Sequence, residues 1–205
     1  MLMEIIFATK NKGKLIEIKN ALETPADGIH IISMEEAGIT ADVSEDGSTY
    51  EANALKKAKA VCGLTGMITL ADDSGLEIDC LARQPGVYSA RWLGEHMPYA
   101  EKNRMILERI SSVPDERRTA RFVCVIAAAF SDGGDYVARG VIEGLIAHAI
   151  GGGENGFGYD PIFYLPEYGA AMSELSIKTK NAISHRGQAI RKMKAYIMAK
   201  EGRLQ

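Results

Sequence analysis

The sequence is poor in the features that mark secreted, metal-cluster and membrane proteins. Its three cysteines are widely spaced in 205 residues and form no CxxC pair, so we expect reduced, mostly buried thiols. No apolar stretch approaches the ~20 residues that cross a bilayer, and the N-terminus becomes polar too early for a signal peptide. A net charge of −3 supplies no basic field for nucleic acid. These absences favour a cytoplasmic protein that binds neither membrane nor nucleic acid.

What the chain does contain is typical of a globular α/β protein. Hydrophobic residues make up 46% and charged residues 25% of the chain, enough for a sizeable core. Its length suits one domain, 1–205, either undivided or with two lobes. Apolar runs alternate with amphipathic stretches, and two long apolar runs around SDGG predict an antiparallel hairpin.

Several polar segments interrupt the predicted elements. A strand at 4–8 leads through a polar loop into a helix, and a second helix starts near Thr49 and stops near Gly63. Strands on both sides of DDSG make that segment a predicted loop. Because loops at strand ends often carry function, we single out 9–14, 44–48, 72–75, 151–160 and the predicted start of the last helix, 180–186.

The segment from Thr9 to Lys14 has the outline of an anion site. It follows a strand, opens a helix and carries three lysines, so backbone N–H groups, the helix dipole and side-chain charge coincide. The Walker A pattern is absent. The alternative is a solvated basic turn. The candidate residues are Thr9, Lys10, Asn11, Lys12, Gly13 and Lys14.

Two adjacent acids, Asp72 and Asp73, stand where an apolar run stops. Adjacent carboxylates repel, so a positive charge should offset them. One could bind Mg²⁺ or orient a water as general base while the other braces the loop. The alternative is an Asx turn before Gly75.

Acids and lysines around the second helix allow similar alternatives. Glu45 and Asp46 fit metal ligands or a polar approach to the helix. The three lysines Lys56, Lys57 and Lys59 fit an exposed helix face.

Two further segments could recognise a ligand. In GFGYDP, glycines flank Phe157, whose ring could stack on a nucleobase or anchor the loop to the core. Near the last helix, Lys180, His185 and Arg186 could face a carbonyl-rich ring or lie on the surface, with Ser184 as a fair N-cap.

Taken in order, six segments resemble the inosine/xanthosine triphosphate pyrophosphatase family: ATKNKGK, SEDGSTYEANALKKA, LADDSGLEID, PGVYSARW, NGFGYDPIF and KNAISHRGQA. The resemblance runs from about residue 4 to 195. It implies an elongated mixed sheet flanked by helices, with two lobes and a central cleft, in a homodimer. It also implies Mg²⁺-dependent hydrolysis of the deaminated purine nucleotides ITP, dITP and XTP to a monophosphate and pyrophosphate.

The resemblance also implies roles for particular residues. Thr9, Asn11 and Lys14 would hold the triphosphate. Lys57 would join them, although its position alone favours an exposed face. Glu45 would bind metal, Asp73 would act as general base and metal ligand, and Asp72 would assist.

The base-recognition roles follow in the same way. Ser74 would contact substrate. The purine would be contacted by Phe157, Gly158, Tyr159, Asp160, Lys180, His185 and Arg186. Asn155 and Ser173 depart from common family residues, which leaves the flexibility of the loop open. A pyrophosphatase for altered pyrimidine nucleotides and a non-catalytic nucleotide sensor are the alternatives; the SHR segment and the three acids argue against them.

Overall fold

The computed structural model describes residues 2–23, 28–40 and 43–202. Within those ranges lie eight strands of one sheet and five α-helices. The strands are β1 (Met3–Phe7), β2 (Ile29–Ser33), β3 (Thr69–Ile78), β4 (Gln84–Pro85), β5 (Thr119–Ala129), β6 (Asp135–Ile146), β7 (Phe163–Leu165) and β8 (Ala170–Ala171). The helices are α1 (Lys12–Leu22), α2 (Tyr50–Thr65), α3 (Tyr99–Arg109), α4 (Ile177–Ile183) and α5 (His185–Lys200).

The sheet is mixed, which confirms the predicted α/β class. Its strand order is β2-β1-β3-β5-β6-β7-β8, and β4 pairs with β3. β1 runs parallel to β2 and β3, with Ile5 opposite Ile31 and Ile6 opposite Thr69. β7 runs antiparallel to β6 and β8. The predicted hairpin joins β5 to β6 through a turn in which Phe130 N donates to Gly134 O at 3.0 Å.

The chain divides into two compact units. The first contains the described residues within 1–73, 124–140 and 186–205, and the second contains 74–123 and 141–185. The prediction of one domain spanning 1–205 with two lobes stays a prediction.

Each unit has its own hydrophobic core. In the first, α1 presents its predicted apolar face, with Ile18 and Leu22 fully buried and Leu15 packed against them. That face packs among residues of β1, β2, β5 and α5, including Phe7, Ile31, Ile126 and Met193. The core of the second unit is built from Leu76, Ile106, Phe122, Ile146, Phe163 and Met172.

The prediction of a loop at 72–75 is wrong. β3 runs unbroken from Thr69 to Ile78 and includes both aspartates. Neither the Asx turn nor a strand end is formed there. Local reasoning failed because charges inside a strand look unfavourable until their tertiary partners are known.

Two helix boundaries also differ from prediction. α2 continues through Gly63 to Thr65, and its C-cap is Gly66, which has the left-handed φ of 68° that favours glycine. Lys180 does not open the last helix but lies in the separate helix α4, which the sequence patterns missed. Ser184 is the C-cap of α4 and directly precedes α5.

Candidate active site

The loop between β1 and α1 is ordered by its own side chains. Thr9 Oγ1 accepts a hydrogen bond from Asn11 N at 3.2 Å, and Asn11 Oδ1 accepts one from Lys14 N at 3.1 Å. Asn11 is therefore the N-cap of α1. Lys10 and Lys12 are exposed at this helix start, where the dipole is positive. The arrangement suits an anion, and the predicted triphosphate site stays a prediction.

Asp72 is buried between cations of the first unit. Lys14 Nζ lies 2.9 Å from Asp72 Oδ2, and Arg186 Nη2 lies 3.5 Å from the same oxygen. Burial by itself raises the pKa of Asp72, but the charges of Lys14, Arg186 and Lys57 outweigh it and lower the pKa to about 2. Asp72 is therefore a permanent anion that holds Lys14 in place.

Asp73 faces the other side of β3, since side chains alternate along a strand. Its Oδ2 accepts a hydrogen bond from Asn53 Nδ2 at 2.9 Å. Burial raises the pKa of Asp73 to about 6, because the Asn53 bond offsets only part of that effect and the negative charge of Glu45 adds to it. Such a carboxylate is charged at neutral pH and still basic. Ser74 follows it and is half-buried.

Lys57 links the loop before α2 to the strand that carries the aspartates. Its Nζ donates to the Glu45 carboxylate and to the backbone carbonyl of Asp72. Lys56, one residue earlier, pairs at 2.6 Å with exposed Asp46. The two lysines thus differ: one lies among the candidate residues and the other is in solvent.

The carboxylates fit a hard cation that arrives with a ligand. Among the described residues, no three His, Cys, Asp or Glu side chains come together as a ready-made metal site. Glu45 is close enough to Asp73 to raise its pKa, and a divalent cation would relieve that repulsion. Mg²⁺ needs only one or two carboxylates beside phosphate oxygens and water. The ligand set of Glu45, Asp72 and Asp73 stays a prediction.

In the second unit, Lys180 and Asp160 tie down the glycine-rich loop. Lys180 Nζ lies 2.8 Å from both Asp160 Oδ2 and the Asn155 carbonyl. Asp160 Oδ2 also accepts from Phe157 N at 3.1 Å, and the lysine lies 5.6 Å from the Phe157 ring centroid. Lys180 and Asp160 are buried, while Phe157 is half-buried. The pair therefore fixes the backbone from which Phe157 projects.

Tyr159 is a core residue of the second unit. Its ring packs edge-on against Tyr99 at 5.1 Å, and its hydroxyl donates to Ser89 O at 2.9 Å. Burial and the neighbouring Tyr99 raise its pKa. The adjoining Gly158 carbonyl accepts from Asn103 Nδ2 at 3.0 Å. Tyr159 therefore anchors the loop to the core of the second unit, and its implied contact with a purine stays a prediction.

His185 and Arg186 are both buried. His185 stacks on Phe122, with ring centroids 4.8 Å apart and an interplanar angle of 13°. Arg186, in the first unit, donates to Glu17 and faces Asp72. The guanidinium of Arg186 therefore pairs with Glu17 and Asp72, and its implied role in reading a purine stays a prediction.

Comparison with known proteins identifies the family of this chain. The sequence profile of the Ham1 family matches residues 5–196. The chain belongs to the Ham1 family. It is 47% identical over 190 residues to a protein of Desulforamulus reducens named dITP/XTP pyrophosphatase, with 93% of each chain covered. A protein of the same name from Clostridium perfringens is 45% identical over 197 residues, covering 93% of this chain and 95% of the relative.

A solved structure supports the same assignment. The Staphylococcus aureus Ham1 protein matches with a TM-score of 0.84 and 38% identity, over 96% of this chain and 99% of that one. The matched range of the Ham1 family contains every candidate site residue from Thr9 to Arg186. No helix within the described part of the chain is both long and apolar enough to span a membrane.

The sequence patterns missed two contributors in this Ham1-family chain. Asn53, which holds Asp73, lies one helical turn before Lys57, and that i,i+4 spacing on α2 could have indicated a shared face. Glu17, which pairs with Arg186, had no sequence signal because its partner lies at the other end of the chain.

The two positions that the resemblance marks as departures, Asn155 and Ser173, lie within and beside the glycine-rich loop. Ser173 Oγ donates to Gly152 O at 2.6 Å, so its hydroxyl adds a tether that alanine lacks. Asn155 contributes its backbone carbonyl to Lys180, a contact that any residue would provide. Ser173 therefore restrains the loop.

Proposed function

We propose that this chain hydrolyses deaminated purine nucleoside triphosphates, namely ITP, dITP and XTP, to the monophosphate and pyrophosphate. The names of its Ham1-family relatives support the substrate class. The observation that carries the chemistry is the contrast between adjacent aspartates, with a pKa of about 2 for Asp72 and about 6 for Asp73. Paired acids whose pKa values are driven apart are typical of sites that need an anchor and a base.

Asp73 is the proposed general base. Asp73 orients a water and takes one of its protons. The resulting hydroxide oxygen bonds to the α-phosphorus, while the bond from that phosphorus to the oxygen bridging the α- and β-phosphates breaks. Pyrophosphate leaves and the monophosphate remains. Because the pKa of Asp73 is about 6, the carboxylate is both charged at pH 7 and basic enough to share the proton.

Cations of the first unit complete the proposed chemistry. Lys14, Lys57 and the N-terminus of α1 would neutralise charge on the triphosphate. Asp72 would keep Lys14 extended toward it. When bound, Mg²⁺ would neutralise further phosphate charge, held by Glu45 and one aspartate of the 72–73 pair.

The proposed selectivity follows from hydrogen-bond polarity. Deamination replaces the purine 6-amino donor by a 6-oxo acceptor. Fixed donors, such as backbone N–H groups and the Arg186 guanidinium, then favour the oxo form. Adenine would leave such donors unpaired, at about 1–3 kcal/mol each. The base-contacting roles of Phe157, Gly158, Tyr159, Asp160 and His185 stay predictions, as do the homodimer and the cytoplasmic location.

A substrate panel tests the proposal. Pyrophosphate release from ITP, dITP, XTP, GTP and ATP would be measured with and without Mg²⁺, with the monophosphate identified. We expect kcat/KM for the deaminated substrates to exceed that for ATP by about 100-fold or more. Equal rates for all five would contradict the selectivity, and release of orthophosphate instead of pyrophosphate would contradict the reaction.

A further inference from the structure

The side chain of Asn53 connects two segments that the proposed chemistry uses. It is fully buried on α2. Its Oδ1 accepts a hydrogen bond from Gly47 N at 2.8 Å, and its Nδ2 donates to Asp73 Oδ2 at 2.9 Å. One amide thus links the loop that carries Glu45 to the proposed general base.

The chemistry of the two partners determines the orientation of this amide. Gly47 N can only donate, and an ionised carboxylate can only accept. The carbonyl oxygen must therefore face Gly47 and the amino group must face Asp73. An ionised acid at position 53 lacks the donor that Asp73 needs, and an apolar residue satisfies neither partner.

Gly47 is adapted to this contact. A Cβ at that position would lie 2.7 Å from Asn53 Oδ1 and 3.1 Å from the Cβ of Ala52. Only a glycine lets the loop backbone come this close to the amide.

The neighbouring turn of α2 restrains the same loop at a second point. Lys57 lies four residues after Asn53 and donates to Glu45 and to the Asp72 carbonyl. The loop is therefore held at Glu45 by a cation and at Gly47 by a neutral amide, and both holding residues also contact the aspartate pair. A neutral donor orients a carboxylate without adding a positive charge that would compete for it.

We propose that Asn53 is a positioning residue for the hydrolytic step, holding the Asp73 carboxylate and the Glu45 loop in one fixed arrangement. This inference rests on the proposed function, since it assigns Asn53 to the step in which Asp73 acts as base. The proposed binding of substrate by Lys14 and the start of α1 does not use the Asn53 amide. Loss of Asn53 should therefore affect turnover and leave binding nearly unchanged.

The variant that tests this is Asn53→Asp, which can still accept from Gly47 N but places a carboxylate where Asp73 needs a donor. With ITP and Mg²⁺, we expect kcat to fall about 10- to 100-fold while KM stays within about threefold. Glu51→Gln is the matched control on the same helix, because Glu51 pairs with Arg139 at the surface; its kcat should stay near that of wild type. An unchanged kcat in Asn53→Asp, or a raised KM with normal kcat, would overturn the proposal.

A double exchange separates the contact from general misfolding. In Asn53→Asp combined with Asp73→Asn, donor and acceptor swap places, so thermal stability should recover relative to Asn53→Asp by more than Asp73→Asn alone adds to the wild-type protein. Absence of recovery would show that the two side chains do not share this bond. Failure of the function itself would appear differently, as a wild-type protein that releases no pyrophosphate from ITP.

Discussion

At the residue scale, Asp72 and Asp73 show how neighbours with the same side chain acquire different chemistry. Asp72 is surrounded by Lys14, Arg186 and Lys57, and its pKa is about 2. Burial raises the pKa of Asp73 to about 6, because the hydrogen bond from Asn53 offsets only part of that effect and the negative Glu45 adds to it. Since strand neighbours face opposite sides, each meets a different set of partners. The first acid is suited to holding charge and the second to exchanging a proton.

This contrast predicts that Asp73→Asn stabilises the protein while reducing turnover. The pKa of Asp73 is higher in the folded chain than its ordinary value of 3.8, so the ionised carboxylate opposes folding as pH rises through 4 to 6. Above pH 6 the substitution should raise the free energy of unfolding by about 2–3 kcal/mol, at 1.36 kcal/mol per pKa unit. Near pH 4 the gain should vanish. Urea unfolding across this pH range measures it.

Asp72→Asn is the matched control, and it should lower the free energy of unfolding where Asp73→Asn raises it. The pKa of Asp72 is lowered on folding, so the ionised carboxylate stabilises the folded chain. That stabilisation is complete above about pH 4 and is lost as pH falls toward 2. Removing a buried partner of Lys14 and Arg186 should cost about 3 kcal/mol at pH 7. If both substitutions changed stability in the same direction, the electrostatic account of the pair would be wrong.

At the scale of elements, the glycine-rich loop at 151–160 is fixed by backbone geometry. Gly153 has a φ of 89°, and a Cβ there would lie 2.2 Å from the carbonyl oxygen of buried Ser173. Gly152 is next to it, yet a Cβ at 152 would meet nothing nearer than Glu174 Oε1 at 3.7 Å. Neighbouring glycines therefore have different structural roles.

We predict that Gly153→Ala destabilises the chain by about 2–4 kcal/mol, through left-handed strain and overpacking. The Gly151 amide donates to Pro161 O at 2.7 Å, and its hydrogen exchange should become faster in this variant. Gly152→Ala should stay within about 0.5 kcal/mol of wild type. Calorimetry and amide exchange measure both, and equal effects at 152 and 153 would contradict the packing argument.

Element prediction from the sequence succeeded where local patterns dominate. The apolar spacing of α1, the start of α2 near Thr49 and the turn around SDGG are decided by neighbours in sequence. It failed at β3, because Lys14 and Arg186, which make Asp72 tolerable in a strand, are remote in sequence. It also missed α4, whose seven residues are too few for a clear period.

At the scale of the whole molecule, two hydrophobic cores are built on one continuous set of strands. β5 contributes Ile126 to the first core and Phe122 to the second. The single tryptophan, Trp92, packs against the second core, with Arg109 over its ring at 4.9 Å. Tryptophan fluorescence therefore reports on the second unit alone.

Because strands pass through both cores, we predict that Ile126→Ala lowers the urea midpoint seen by Trp92 as well as by circular dichroism. Because Ile126 is fully buried, its truncation to alanine should lower the free energy of unfolding by about 2–5 kcal/mol. Ile16→Ala, on the exposed face of α1, is the control and should change stability by less than about 0.5 kcal/mol. A Trp92 midpoint that did not move would mean that the units unfold separately.

The sequence by itself determined the α/β class, most helices and strands, and the motifs that mark the Ham1 family, because each depends on order and spacing along the chain. Only the tertiary structure decided that DDSG lies within a strand, that Asn53 holds Asp73, and that adjacent aspartates differ in pKa. Those properties depend on burial and on charges from remote segments, and electrostatic interactions act through space rather than along the chain.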